Sequence, residues 1–200
     1  MAGWALALMA LYLALAFGVR VAVALRTTGS TGIVSIGAAP PIEVLGGGLF
    51  LAGLLLGGLN PLLAVLDAIE PWSELDTTAA HVAGFLLCAT GIAGTFAAQM
   101  AMGASWRIGV DPGERTELVT GGVFALSRNP IYTFMITAWI GFALLVPTWL
   151  MAIAGVLLIV GIEIQVRLVE ERHLVATQGD AYRSYARRIG RFLPGLGRIG

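Results

Sequence analysis

Lysine is absent from this 200-residue chain, whose 12 basic residues are all arginine. With abundant Ala and Gly, that bias reads as the composition of a GC-rich bacterial genome. Charge of either sign is scarce. It makes up 12% of residues, against about 25% in a soluble domain. A water-facing surface needs more. The formal net charge is zero, so no bulk field points to nucleic acid as a partner. The single cysteine, Cys88, excludes an intramolecular disulfide and a Cys-rich metal site. Its apolar surroundings suit a small packing residue. The two histidines, His81 and His173, leave little for a His-based metal centre. A basic region ahead of the first apolar run is also missing, since the first charge is Arg20. That run therefore reads as a retained membrane helix and not as a signal peptide.

Apolar residues are plentiful, at 58% of the chain, and mean hydropathy is +0.86. The expected fold class is an all-α integral membrane protein. Spanning helices need about 20 mostly apolar residues. Five segments qualify: Trp4–Leu25, Val44–Leu66, Ala80–Ala104, the short Pro130–Val146, and Trp149–Val166. Only Pro147-Thr148 joins the last two, which predicts a tight antiparallel hairpin. The second segment holds Gly46-Gly47-Gly48, Gly53, Gly57 and Gly58. Small residues of this kind let helices approach closely, within a bundle or across a homo-oligomer face.

Loop charges set an orientation. Asp67, Glu70, Glu74 and Asp76 lie between the second and third spans, without arginine. Arg20 and Arg26 close the first span, Arg107 and Arg115 follow the third, and seven arginines follow the fifth. The positive-inside rule then places the N-terminus and acidic loop outside and the C-terminus inside. A bacterial inner membrane is the expected location.

No internal repeat is visible, and the chain reads as one domain. Residues 1–104 supply three membrane helices. Residues 105–200 supply a cytoplasmic loop, the hairpin and a C-terminal helical cap. In the loop, Asp111-Pro112-Gly113 and Gly121-Gly122 are turn signals. In the tail, Gln178-Gly179-Asp180 reads as a helix stop followed by a new N-cap. This predicts a helix to about Gln178 and a short one from Ala181 to Ile189.

Two polar stretches interrupt the apolar pattern. Ser127-Arg128-Asn129-Pro130-Ile131-Tyr132 combines a favoured N-cap, Asn129, with proline at the first helical position. A helix N-terminus with Arg128 beside it suits an anion. The second stretch runs from Glu163 to Leu174. Glu163, Arg167 and Glu171 follow at spacings of four and would stack on one helix face, with Glu170 adjacent. Glu163 is still inside the apolar run, where an ionisable group is expected to face the protein interior. Both stretches fall at the cytoplasmic end of the hairpin. Arg128 on one arm and Glu170/Glu171 on the other could hold the carboxylate and ammonium of an amino-acid-like cofactor. The bland alternatives are an interfacial arginine that snorkels and a solvated helix face of alternating charges.

From about Trp106 to Leu196 the chain resembles the isoprenylcysteine carboxyl methyltransferases and their phospholipid methyltransferase relatives. The resemblance rests on Gly121-Gly122, Arg128-Asn129-Pro130-Ile131-Tyr132, Glu170-Glu171-Arg172-His173-Leu174, Gly179, Tyr182-Arg183-Ser184-Tyr185 and Arg191-Phe192-Leu193-Pro194, in that order. It implies S-adenosylmethionine held in a membrane-embedded pocket without a Rossmann sheet, and the chain has no βαβ pattern. Arg128, Asn129, Pro130, Tyr132, Glu170 and Glu171 would line the cofactor site. Asn129 stands where the family pattern has histidine; it can hydrogen-bond but cannot titrate near neutrality. Arg167 falls near the position implied for a substrate carboxylate. Glu163, Glu170 or Glu171 would serve as base if the acceptor needs one. Tyr182 and Tyr185, with the arginines around them, would close over the cofactor or rest on anionic lipid. His81 opens the third span, far from these residues, and His173 lies beside the carboxylates.

The expected activity is methyl transfer to a lipophilic small molecule or lipid-like acceptor arriving from the bilayer. Two other readings share parts of the pattern. NADPH-dependent sterol reductases resemble the same hairpin but are usually longer. A non-catalytic membrane scaffold would fit the loss of the histidine.

Overall fold

The structure, a computed structural model, describes residues 1–33, 40–109 and 117–199. The turn expected at Asp111-Pro112-Gly113 and the charge of Arg115 lie outside the described residues. Helix α1 is Ala2–Thr28, with a π-helical stretch at Ala14–Val19. Then come α2 (Pro41–Val65), α3 (Thr78–Ala101), α4 (Pro130–Leu145) and α5 (Trp149–Ile164). A π-helical stretch, Gln165–Glu170, carries α5 directly into α6 (Glu171–Arg188). Short 3-10 turns sit at Gly103–Ser105 and Gly122–Ala125. Strand pairing among the described residues is limited to one isolated bridge, Ile33 to Ile108.

The chain is an all-helical integral membrane protein. Four helical stretches are long and apolar enough to cross a membrane: α1, α2, α3 and the 40-residue run Trp149–Arg188. The other expected span, α4, has 16 residues and would reach about 24 Å at the usual helical rise. Leu51, Leu55, Phe85, Leu86, Ile153 and Val156 are exposed on the outside of the bundle, as lipid-facing side chains should be.

Local chemistry explains the boundaries. Thr77 caps α3, its hydroxyl accepting from Ala80 N at 3.2 Å. Thr148 caps α5, accepting from Met151 N at 3.1 Å. The same Thr148 hydroxyl donates to Asn60 Oδ1 at 2.5 Å, and Asn60 Nδ2 donates to Val146 O at 3.1 Å. Asn60 precedes Pro61 inside α2. A polar clamp buried at a proline thus fixes the α4–α5 turn against α2. At the same end, Trp72 and Trp149 meet edge to face at 4.9 Å, an interfacial aromatic pair.

The α4–α5 turn is as short as expected, but its arms do not form a packed hairpin. Helix α4 lies along α3, and α5 lies along α2. Glycine decides this. A methyl at Gly91 of α3 would sit 2.4 Å from Ala138 N of α4, and one at Gly161 of α5 would sit 2.5 Å from Phe50 N of α2. Both interfaces bring backbones together where any side chain would collide. Gly53 and Gly57 are part of this internal packing, against Leu158 and Trp139, whereas Gly47, Gly48 and Gly58 have open space beside them. The main core follows from these contacts: Tyr12, Met135, Trp139, Phe142, Met151, Leu158 and Ile162 are all buried.

The expected break after Gln178 is present. Gly179 has φ 55° and ψ −125° inside α6, a conformation for which glycine is suited. The chain beyond it turns back onto the end of the bundle. There Tyr182, Tyr185 and Ala186 form a second small core with Leu118, Leu174, Val175, Ile189 and Ile199.

Candidate active site

The start of α4 is where the polar stretches meet. Pro130 occupies the first turn and Asn129 the cap position, but the Asn129 side chain makes no cap bond. It reaches instead to the tail, its Nδ2 donating to Arg191 O at 3.1 Å. The tail supplies most of what the helix start requires. Arg128 N donates to Gly190 O at 2.9 Å and Asn129 N to Arg191 O at 3.1 Å. Ser127 Oγ donates to Arg191 O, and Thr133 Oγ1 to Phe192 O. The carbonyls of residues 190 and 191 thus engage the two backbone N–H groups just ahead of Pro130.

Arg128 is almost fully buried. Its Nη1 lies 2.9 Å from the Tyr182 hydroxyl and 2.8 Å from Glu171 Oε1. Its Nη2 donates to Gly197 O at 2.6 Å. Glu171 also receives both prongs of Arg191, Nε on Oε1 at 2.8 Å and Nη2 on Oε2 at 2.9 Å. That hydrogen bonding to Glu171 holds the Arg191 guanidinium above its ordinary pKa. Two arginines thus neutralise Glu171, which corrects its assignment as an open partner for an ammonium.

Glu170 differs. Its Oε1 accepts from the Tyr132 hydroxyl at 2.9 Å, and no cation faces it among the described ion pairs. Adjacent residues on a helix point about 100° apart, so the two carboxylates meet separate partners where the π-helical stretch passes into α6. The same π stretch breaks the expected stack of Glu163, Arg167 and Glu171, because i→i+5 hydrogen bonding changes which residues share a face. Among the described residues, Arg167 pairs with Glu163 and not with Glu171. Glu163 is partly exposed and held by that pair, not enclosed in the protein as expected.

Two concavities flank Glu171. The smaller, about 70 Å³, is lined by Arg128, Asn129, Glu170, Glu171, Tyr182 and Tyr185, with Met102, Glu117 and Phe124 among the other walls. The larger, about 320 Å³, is an open depression lined by Arg167, Glu171, Arg172, Val175 and Ile199. The small cavity gathers Arg128, Asn129, Glu170, Glu171, Tyr182 and Tyr185; Tyr132 joins through its bond to Glu170, and Pro130 starts the helix that carries it. Arg167 is on the open side, and Glu163 lines neither concavity. Tyr185 is fixed here by donating to Phe124 O at 2.6 Å. His81 lies at the opposite end of α3, 2.8 Å from Asp76.

Arg191 was visible in sequence only as part of the Arg-Phe-Leu-Pro ending. Its bidentate grip on Glu171 spans 20 residues, and no local signal announces it. Another buried arginine, Arg20, sits at the end of an apolar run, a place that in sequence resembles an ordinary loop charge.

The residues of the small cavity suit an amino-acid end. Arg128 Nε is buried without a partner, and among the described residues Glu170 is bonded by the Tyr132 phenol. The volume is another matter, since pockets for small ligands run to about 300–1,000 Å³.

Comparisons with known proteins bear on this arrangement. A solved structure of a eukaryotic intramembrane Ras methyltransferase, isoprenylcysteine carboxyl methyltransferase without a monobody, is similar over 92% of this chain and 75% of that one, at 17% identity and a TM-score of 0.48. No curated protein matches. The model of the phospholipid methyltransferase family matches residues 79–181, just over half of the chain and the stretch that holds α3, α4, α5 and the cavity residues up to Leu174. This chain belongs to the phospholipid methyltransferase family and is a membrane methyltransferase.

Proposed function

We propose that the chain transfers a methyl group from S-adenosylmethionine to a lipophilic acceptor at the cytoplasmic face of the membrane. The carrying observation is the division of labour around Arg128. Its unpartnered Nε suits a carboxylate, while Glu170, which lines the same cavity and pairs with no cation among the described residues, suits an ammonium. Tyr132 orients Glu170, and Glu171 with Arg191 orients Arg128. When bound, the cofactor supplies a methyl already activated on a sulfonium. What remains for the protein is alignment and exclusion of water. Buried Tyr182 and Tyr185 and the tail segment 191–199 supply that exclusion. The tail must shift outward to enlarge the cavity, and its single-carbonyl contact at Gly197 is the bond a ligand carboxylate would replace.

In this reading Glu163 and Arg167 act as an ion pair at the membrane edge. Their pairing does not favour either as base or substrate anchor. The orientation proposed from the loop charges places the N-terminus outside and the tail in the cytoplasm. Lengthwise packing of α4 along α3 supports a fifth crossing despite its length.

Titration with S-adenosylhomocysteine in detergent tests the reading, with NADPH as control. Saturable binding by wild type, weakened at least tenfold by Glu170→Gln, is expected. A folded protein that binds NADPH and not S-adenosylhomocysteine would overturn it.

A further inference from the structure

Arg20 sits on α1 just after its π-helical stretch and is 2% exposed. A guanidinium has five N–H donors. Here it makes one hydrogen bond, Nη2 to Gly103 O at 2.5 Å, and stacks on Trp106 at 4.6 Å. Its Nε is buried without a partner. No carboxylate pairs with it among the described residues. Burying a cation costs several kcal/mol unless it is paired. A carbonyl and an indole face offset part of this and leave the charge in place.

Arg20 ends a line of polar groups between α1 and α3, which run parallel here. Gln99 Nε2 donates to Ala16 O at 3.1 Å. Tyr12 and Thr95 lie near each other one rung deeper. Tyr12, Ala16 and Arg20 are spaced by four, as are Thr95, Gln99 and Gly103. Among the described residues, Tyr12 Oη, Thr95 Oγ1 and Gln99 Oε1 are buried without a hydrogen-bond partner. The line is thus polar and under-satisfied inside a membrane bundle. Its Arg20 end adjoins the small cavity, because Met102, which lines that cavity, precedes Gly103. Trp106 covers Arg20 from the loop side and is itself held by the pairing of Ile108 N with Gly32 O at 2.7 Å.

We propose that Arg20 is an anion site for an amphiphile, binding an oxyanion group (phosphate or carboxylate) whose apolar chain lies in the bilayer. The oxyanion takes the free Nε–H and an Nη–H as a two-point contact, with Trp106 swinging aside. Its role as the anchor of the methyl acceptor rests on the methyl-transfer reading; the anion site itself does not.

The test uses the full-length protein in a nonionic detergent, with dodecyl phosphate, dodecyl glycerol and inorganic phosphate as probes. The readouts are the unfolding midpoint and S-adenosylhomocysteine binding. Dodecyl phosphate is expected to raise the midpoint saturably, and the other two are not. Arg20→Gln removes that rise and leaves S-adenosylhomocysteine binding within twofold of wild type. Arg20→Lys, which keeps the charge but not the two-point geometry, weakens dodecyl phosphate binding at least fivefold and serves alone should the Gln variant not fold. An equal response to dodecyl glycerol, or an unchanged response in either variant, overturns the site. An equal response to inorganic phosphate overturns the amphiphile as its source. Loss of S-adenosylhomocysteine binding in wild type, with the Arg20-dependent response intact, removes the methyl-transfer reading and leaves the site standing.

Discussion

Glu170 and Glu171 are neighbours in the chain and opposites in the structure. Glu171 is clamped by Arg128 and Arg191, while Glu170, among the described residues, has only Tyr132. Substituting them should therefore give different phenotypes. Glu171→Ala leaves two guanidinium groups without their carboxylate and should cost about 3–5 kcal/mol of stability, read as a lowered thermal midpoint in detergent. Glu170→Gln should leave the midpoint within a degree or two and act on ligand binding. Tyr132→Phe removes one hydrogen bond to a charged group, a loss of about 1.5–3 kcal/mol; S-adenosylhomocysteine affinity measured by calorimetry should fall at least tenfold. Equal stability losses at Glu170 and Glu171 would contradict this division. Both carboxylates were legible as candidates from sequence. Which one is neutralised was not, because Arg191 arrives from 20 residues away.

At the scale of elements, two glycine-mediated contacts hold four helices in pairs. Gly91→Leu forces a side chain into the backbone of α4 and should destabilise by about 3 kcal/mol, seen as loss of monodisperse protein on size-exclusion chromatography. Gly47→Ala, with nothing within 4 Å, is its control and should behave as wild type. The tail is the other element with a clear role. Removing residues 191–200 takes away the carbonyls that receive Asn129 N, Ser127 and Thr133. Amides in the first turn of α4 should then exchange with solvent roughly tenfold faster or more, measured by hydrogen-exchange mass spectrometry. Unchanged exchange would show that the tail does not secure the helix start. Sequence placed the ends of these helices within a few residues, since caps, prolines and apolar runs are local. It paired α4 with α5 because they are joined by two residues. Connection length sets proximity of helix ends, but surface shape sets which helices pack.

For the whole molecule, the apolar exterior and the asymmetric loops define one consequential geometry, a site at the arginine-rich end of the bundle. The proposed orientation is open to direct measurement. Cys88 is buried, so the wild type offers little background to a membrane-impermeant maleimide. Glu74→Cys should label in right-side-out vesicles, and Arg198→Cys should label only after permeabilisation. The reverse pattern would invert the topology and place the cavity outside.

The sequence by itself determined the membrane class, the helix boundaries, the family resemblance and the polar and aromatic residues Arg128, Asn129, Glu170, Glu171, Tyr182 and Tyr185 that gather at the cavity. Each of these follows from composition, from periodicity, or from motifs whose order is written along the chain. Tertiary structure alone decided which carboxylate is already neutralised, which donors the tail has engaged, and that Arg20 is enclosed without a counter-charge. Those outcomes depend on contacts between residues 20 to 83 positions apart, and the energy of such a contact is set by the dielectric and the partners found on folding.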